Sequence, residues 1–410
     1  MRQRYLLVTI FFLFACSNLP EKKDLTAWKH FSIDESLPGE RYGTGGPTLA
    51  DYDGDGDLDL ALSRKVVQGA YWYEYRNDST WIRHFIGNHT GLENTLGTTA
   101  LDIDQDGWTD IVFSRVWFRN PGNLMENPDT PWSPVDYPGR GHDIITLDVD
   151  GNGIEDIMAY NGKKLSWFNV SNELEEFVIS DGHDDHGGLA PRGAADIDAD
   201  GDVDAIIPGF WFANPGKGIG EWEQVEWPFT PVPKASYGRS TRSWIEDLDN
   251  DGDKDIIYSH CDTGNGHVYW IENKEGGKEW ISHLLPDPPT KEGDVPGTGS
   301  FHSLGLADFD LDGDLDIFAG EQEDPDVYMV DRGLIAMKPV GLKERGVIWE
   351  NNGAQTPEFM PVVIQVDNPG WHDASLADID GDGDIDIVTK IWNADGPNYH
   401  ADYWRNDINQ

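Results

Sequence analysis

Three histidines stand at one register in the sequence. His142 in "RGHDIITLD", His302 in "SFHSLGLAD" and His372 in "GWHDASLAD" each lie six residues before the aspartate that opens an acidic run. Two arginines occupy nearby places, Arg192 in "PRGAAD" and Arg242 in "TRSWIED". Four or five residues after the final Asp of a run stand Arg64, Arg115, His260, Glu321 and Lys390. Histidine titrates near neutrality and also ligates transition metals. Arginine and lysine neutralise carboxylates and sulfates. Two chemistries suit this set. In one, Arg and Lys pair with a substrate carboxylate while a histidine takes the proton from the adjacent carbon, which stabilises an enolate-like transition state. Loss of water or of a glycosyl group then leaves an unsaturated uronate. In the other, His142, His302 and His372 hold a transition metal that neutralises the carboxylate. The flanking aromatics Phe301 and Trp371 offer faces on which a sugar ring stacks. His183 and His186 of "GHDDHGG" (182–188) are further candidates for this set, but the stretch reads better as a mobile polar loop.

The elements that must position these residues are marked by the acidic runs themselves. Seven copies occur: "DYDGDGDLDL" (51–60), "DIDQDGWTDI" (102–111), "DVDGNGIEDI" (148–157), "DIDADGDVDA" (196–205), "DLDNDGDKDI" (247–256), "DFDLDGDLDI" (308–317) and "DIDGDGDIDI" (378–387). Repeats of about this length indicate propellers or solenoids. A small-residue strand precedes each run and an apolar strand leaves it. Next come a strand carrying Trp and then Asn (Trp72 and Asn77, Trp270 and Asn273, Trp349 and Asn352) and an aromatic strand such as "WIRHF" or "WISHLL". Four strands per unit make one blade, so the expected fold is all-β, a seven-bladed β-propeller. The last blade lacks a fourth strand. "WKHFSID" (28–34) is expected to supply it and close the ring, leaving no open sheet edge. The domain boundaries follow: 1–15 a signal segment, 16–27 a linker, 28–410 the propeller.

The spacing D-x-D-x-D-G-x-x-D places alternate carboxylates and a late one around a single hard cation, with Gly for the turn. The ligands expected are Asp51, Asp53, Asp55 and Asp59; Asp102, Asp104, Asp106 and Asp110; Asp148, Asp150, Asn152 and Asp156; Asp196, Asp198, Asp200 and Asp204; Asp247, Asp249, Asp251 and Asp255; Asp308, Asp310, Asp312 and Asp316; and Asp378, Asp380, Asp382 and Asp386. The arrangement resembles the FG-GAP/VCBS repeat of integrin-type propellers, and the resemblance implies structural Ca2+ at several loops. Asn152 weakens the third.

The chain carries 30 basic and 75 acidic side chains, a net charge of −45. That excludes nucleic acid as a partner. Seventeen Trp, 14 Tyr and 16 Phe supply a core, which excludes disorder. Arg2 and Arg4 precede a short apolar stretch ending at "LFAC". This resembles a bacterial lipobox, which implies lipidation of Cys16, an outer-membrane lipoprotein, and membrane contact through the lipid anchor alone. Only Cys261 remains besides Cys16, so no disulfide is expected within the lipidated chain.

Propeller, mouth histidines and lipobox together resemble the sugar dehydratase propellers, including the aldos-2-ulose dehydratase type, and the ulvan-oligosaccharide dehydratase family of marine polysaccharide-degrading bacteria. That resemblance implies a carbon–oxygen lyase acting on anionic oligosaccharides, forming an unsaturated uronic acid at the non-reducing end. On this reading His142, His302 and His372 are catalytic, and Arg192, Arg242, Arg64, Arg115, His260, Glu321, Lys390 and Trp371 bind the substrate. The alternative is a glycan-binding or adhesion lipoprotein using the same ring without catalysis.

Overall fold

The computed structural model describes residues 23–409, apart from 40–42, 66, 93–95, 228–231, 236, 324–337, 355, 368–369 and 393–397. The expected signal segment and Cys16 lie outside the described residues. No helix among them is long and apolar enough to cross a membrane.

The described strands form seven antiparallel blades in chain order, a seven-bladed β-propeller. Blade 3 shows the unit: Asp143–Leu147, Asp156–Tyr160, Leu165–Asn169 and Glu175–Ser180, each paired with the next. Each acidic run is the turn from the first strand to the second. Residues at the start of the first strand and the end of the second therefore share the opposite end of the blade. In blade 7, Asp373–Ala377, Asp386–Lys390 and Ala401–Asn406 are joined by Trp28–Asp34, with Trp28 opposite Asn406.

The repeating side chains have separate jobs. The Trp on the third strand is buried between blades. Trp72 packs with Ile111 and Phe113 of blade 2, Trp167 with Ala205 and Ile207 of blade 4, and Trp270 with Ile317 and Ala319 of blade 6. A buried Trp removes about 150–250 Å² from water, so these seams supply much of the inter-blade cohesion. The last Asp of each run is a staple. Asp316 accepts the Phe309 N–H at 3.1 Å and the Asn351 N–H at 2.8 Å. Asp59, Asp110, Asp156, Asp204, Asp255 and Asp386 repeat this pair. The Asn after the Trp reaches across a seam. Asn120 Nδ2 donates to the Tyr52 carbonyl, Asn273 to Ile197 and Asn406 to Phe309, each at 2.9 Å.

One element departs from the repeat. His186–Arg192 lies parallel to Gly238–Glu246 of blade 5, as an extra strand on the inner side. Its first three residues belong to the stretch 182–188 expected to be a polar loop, and it brings His186 to the centre.

Candidate functional site

Blades 3, 5, 6 and 7 send side chains from the end opposite the acidic turns into one buried cluster. Its pivot is Arg242 on Gly238–Glu246. The guanidinium is buried. Nη1 donates to Asp143 Oδ1 at 2.9 Å, Nη2 donates to Asp373, and Nε donates to the His302 carbonyl at 2.9 Å. Asp143 also accepts His142 Nδ1 at 2.7 Å, and its other oxygen accepts the N–H groups of Leu189 and Ala190. Asp373 accepts Lys390 Nζ at 2.8 Å, and Lys390 donates to the Thr44 carbonyl at 3.1 Å. Buried charges survive only when paired in this way.

The imidazoles sit on this ionic frame. His302 and His372 stack with ring centroids 3.9 Å apart, and His142 meets His186 at 4.1 Å and His302 at 6.5 Å. His302 Nδ1 lies 2.7 Å from the His372 carbonyl, which only accepts, and 3.2 Å from Arg242 Nη2, which only donates. The shorter contact places the proton on Nδ1 and leaves Nε2 a lone pair, and Arg242 Nη2 is satisfied by Asp373. His142 spends Nδ1 on Asp143 and likewise presents Nε2. His372 Nδ1 lies 3.7 Å from Glu323 Oε1. His186 Nε2 lies 3.9 Å from Asp262 Oδ2.

The electrostatics keep several imidazoles neutral. Burial and then the nearby Arg242 push His302 down to about 4. Burial, with His142 next, pushes His186 to about 3. Burial, His302 and Lys390 push His372 well below its usual value. The carboxylates stay charged. Burial is the largest influence and opposes the charge of Asp143, Asp373 and Asp262, but the lowering partners together outweigh it. These are Arg242, His142 and a main-chain N–H at Asp143, Arg242, Lys390 and His302 at Asp373, and the surrounding imidazoles with the Ser240 hydroxyl at Asp262, which holds all three below the usual carboxylate range. Three charged carboxylates thus face two fixed cations, and one ligand atom each from His302, His372 and Asp373 lies within 4.8 Å of the others. Neutral nitrogens and surplus negative charge suit a divalent transition metal, which would share Asp373 with Arg242 Nη2 on Oδ1 and Lys390 Nζ on Oδ2 and so rest mainly on the two imidazoles. The His302 bond to the His372 carbonyl is the outer support that such a ligand needs.

The structure brings together five of the sequence-predicted residues: His142, His302, His372, Arg242 and Lys390. Their roles differ from the expectation in part. Arg242 and Lys390 are 6% and 0% exposed and bonded to Asp143 and Asp373, so they build the frame and do not receive a substrate anion. The other predicted binders lie elsewhere. Arg192 is exposed at the acidic-turn end of blade 5, with Nη1 3.4 Å from Glu246 Oε2 and its guanidinium over Trp244. The extra strand carries it away from the mouth. Arg64 is buried, donating to Thr44 Oγ1 at 2.6 Å and to the Pro38 carbonyl at 2.9 Å. Arg115 sits in a tight hairpin turn at φ 71°. His260 is buried among Tyr258, Tyr269 and His267 of its own blade. Glu321 is a fully buried partner of Arg345, with Oε2 2.8 Å from Nε and Oε1 2.7 Å from Nη2. Trp371 is fully buried and stacked on Trp404 at 4.9 Å, so it is core and not a sugar platform. The same holds for Phe301, packed against Trp349.

Asp143, Asp373, Asp262 and Glu323 are cluster residues that the sequence did not single out, and His186 is one that it ranked below a polar-loop role. Asp143 and Asp373 carried a signal, because each directly follows a register histidine as "HD". His186 carried little, since its neighbour His183 in the same stretch bonds Ser180 Oγ at 2.8 Å instead. The cluster meets solvent at His186, whose side chain is 30% exposed, beneath the exposed Tyr237 with ring centroids 5.2 Å apart.

The acidic loops form separate clusters. Carboxylate oxygens of Asp51, Asp53 and Asp59 lie within 4.8 Å of one another, as do those of Asp102, Asp104 and Asp110, Asp148, Asp150 and Asp156, and Asp196, Asp198 and Asp204. Asp310 Oδ2 and Asp378 Oδ1 are buried without a hydrogen-bond partner. Orphaned, crowded oxygens of this kind fit a hard cation.

Residues 51–113 and 247–319 match the FG-GAP-like repeat. No curated protein matches the sequence. Among solved structures the chain is similar to an Agrocybe aegerita lectin described for specific recognition of non-reducing terminal N-acetylglucosamine. The identity is 18% over 84% of this chain and 91% of the lectin, with a TM-score of 0.51. It is also similar to the exotype rhamnogalacturonan lyase YesX, at 14% identity over 91% of this chain and 75% of that one, with a TM-score of 0.44. The NanB sialidase from Streptococcus pneumoniae aligns at 10% identity over 92% and 70%, with a TM-score of 0.43. These likenesses are of fold.

Proposed function

We propose that the protein acts on carbohydrate at the central cluster, as a carbon–oxygen lyase that removes water from the non-reducing-end uronic acid of anionic, ulvan-type oligosaccharides. The observation that carries this reading is the pair His142 and His302. Each has Nδ1 tied to a fixed acceptor and Nε2 left as a base, inside a frame that holds surplus negative charge. His142, braced by Asp143, takes the proton from the carbon beside the substrate carboxylate. The C–H electron pair becomes the double bond and hydroxide leaves the next carbon. The imidazolium formed at His142 is the nearest proton source for that hydroxide, and water is the product. His302, His372 and Asp373 would hold a divalent transition metal, which when bound supplies the positive charge that an enolate-like carboxylate needs. Arg242 and Lys390 orient Asp143 and Asp373 and exclude water beneath them.

The acidic loops are proposed to bind Ca2+ as structural staples, and Cys16 to carry a lipid anchor that places the protein in the cell envelope, as an outer-membrane lipoprotein.

The test is incubation of the purified protein with uronic-acid-terminated oligosaccharides while the unsaturated-uronate absorbance is followed, with and without added divalent metal. Absorbance growth that is lost in His142→Ala supports the lyase. No growth with several uronates, with or without metal, overturns it. One observation favours a second reading, a glycan-binding protein. The half-exposed His186 under Tyr237 makes a ring-lined rim of the sort that a sugar packs against. Saturable oligosaccharide binding without turnover would select it.

A further inference from the structure

The seven acidic loops are written alike, but the neighbouring third strand does not charge them alike. In blade 5, Lys274 ends that strand and reaches into the loop. Its Nζ lies 2.8 Å from Asp251 Oδ2 and 3.4 Å from Asp249 Oδ2, and also bonds Glu272. An ammonium has three donors, and here three carboxylates meet them. Asp249 and Asp251 are the third and fifth loop positions, whose side chains a bound cation would need. In blade 2, Arg119 pairs with Asp104, and in blade 3 the Asn169 amide donates to Asp150 Oδ2 at 2.9 Å. Blade 6 is the opposite case. The strand places Glu350, 5% exposed, beside Asp310, 1% exposed, whose Oδ2 is buried with no hydrogen-bond partner. Among the described residues no lysine or arginine pairs with Asp308, Asp310 or Asp312.

We propose that the fifth loop carries the tethered Lys274 ammonium in place of a divalent cation, whereas the sixth loop takes Ca2+, so that the chain binds fewer than seven Ca2+ ions. The physical reason is charge. A loop already holding a fixed cation gains less from a divalent ion and must first release the lysine. A loop with an added buried carboxylate needs the ion to fold without repulsion. The third strand thus selects which copies of one motif are metal sites. This inference rests on the calcium reading of the loops.

The experiment counts Ca2+ per chain by elemental analysis after equilibrium dialysis, in the wild type, Lys274→Met, Lys274→Gln and Asp310→Asn. The expected result is fewer than seven ions in the wild type, one more in either Lys274 variant, and one fewer in Asp310→Asn. The wild-type count stands by itself if a variant does not fold. Seven ions in the wild type, or an unchanged count in a folded Lys274 variant while Asp310→Asn loses one, overturns the assignment. No bound Ca2+ in any of the four proteins overturns the calcium reading, and this assignment with it.

Discussion

His302 donates its Nδ1 proton to the main-chain carbonyl of His372 across 2.7 Å. The bond joins blade 6 to blade 7 and decides the chemistry of both residues. It fixes one tautomer of His302, aims its Nε2 lone pair and holds the two rings in a stack. A strand pairing between blades would be interchangeable with many others. A ring nitrogen on a neighbouring carbonyl is not, because its angle sets where the remaining lone pair lies.

The braced base gives the first prediction. His142→Ala lowers kcat on uronate oligosaccharides by about 10²–10⁴, the usual worth of a positioned general base. Asp143→Gln keeps the imidazole but loses its brace, so part of the activity remains. Steady-state kinetics with circular dichroism as the folding control checks both. Full activity of a folded His142→Ala removes His142 from the base role.

Removal of the pivot is the second. Arg242→Met leaves Asp143 and Asp373 facing each other with one fixed cation lost. Breaking a buried pair costs about 3–5 kcal/mol. Urea denaturation of the purified variant measures it, and a loss under 1 kcal/mol would show that the frame does not depend on the guanidinium.

The third concerns Trp371. As core, Trp371→Ala costs about 3–5 kcal/mol, the range for large aromatic truncations. As a sugar platform it would mainly weaken oligosaccharide binding. The outcome expected here is a large fall in melting temperature, with affinity little changed while the protein stays folded.

Metal removal is the fourth. A ligand at a hundred times its Kd stabilises by about 2.7 kcal/mol per site. Chelation should therefore lower the melting temperature by many degrees, restored by Ca2+. A melting curve indifferent to chelator would argue against occupied loops.

The fifth is the pH dependence of ring closure. Asp402 in blade 7 accepts His30 Nε2, from Trp28–Asp34, at 2.7 Å, and also accepts His400. Burial lowers His400, but the bond to Asp402 and the charge of Asp402 together outweigh it and leave the imidazole above its ordinary 6.5. Burial raises Asp402, but the bonds from His30 and His400 outweigh it and hold the carboxyl below its ordinary 3.8. A raised histidine stabilises fully below pH 6.5, and the gain fades as pH climbs through its folded value. A depressed aspartate stabilises above pH 3.8, and the gain fades as pH falls further. The cluster therefore contributes most between about pH 3.8 and 6.5, and of these limits the lower one, set by Asp402, bears on the closing strand, because His400 belongs to blade 7 itself. Amide protection factors of residues 28–34 should fall as pH drops below about 3.8 and should lose that dependence in Asp402→Asn.

The propeller was legible in the sequence because its signal is local and repeated. Asp51 and its six equivalents mark the same turn, and Trp72 or Trp270 marks the same seam, so counting from one copy locates the others. The register histidines were legible for the same reason, since position within a blade fixes position around the ring. What the sequence could not decide was which charged neighbours turn inward. Arg192 and Arg242 look equivalent in the chain. Only one is buried, because a cross-blade partner, Asp143 or Asp373, exists for it and not for the other. His186 reaches the cluster through a parallel strand that no repeat announces. Periodicity reports an element's own geometry, whereas ion pairing and burial depend on contacts between residues far apart in the chain, 131 residues for Arg242 and Asp373 and 346 for Lys390 and Thr44. Those contacts exist only once the ring is closed and packed.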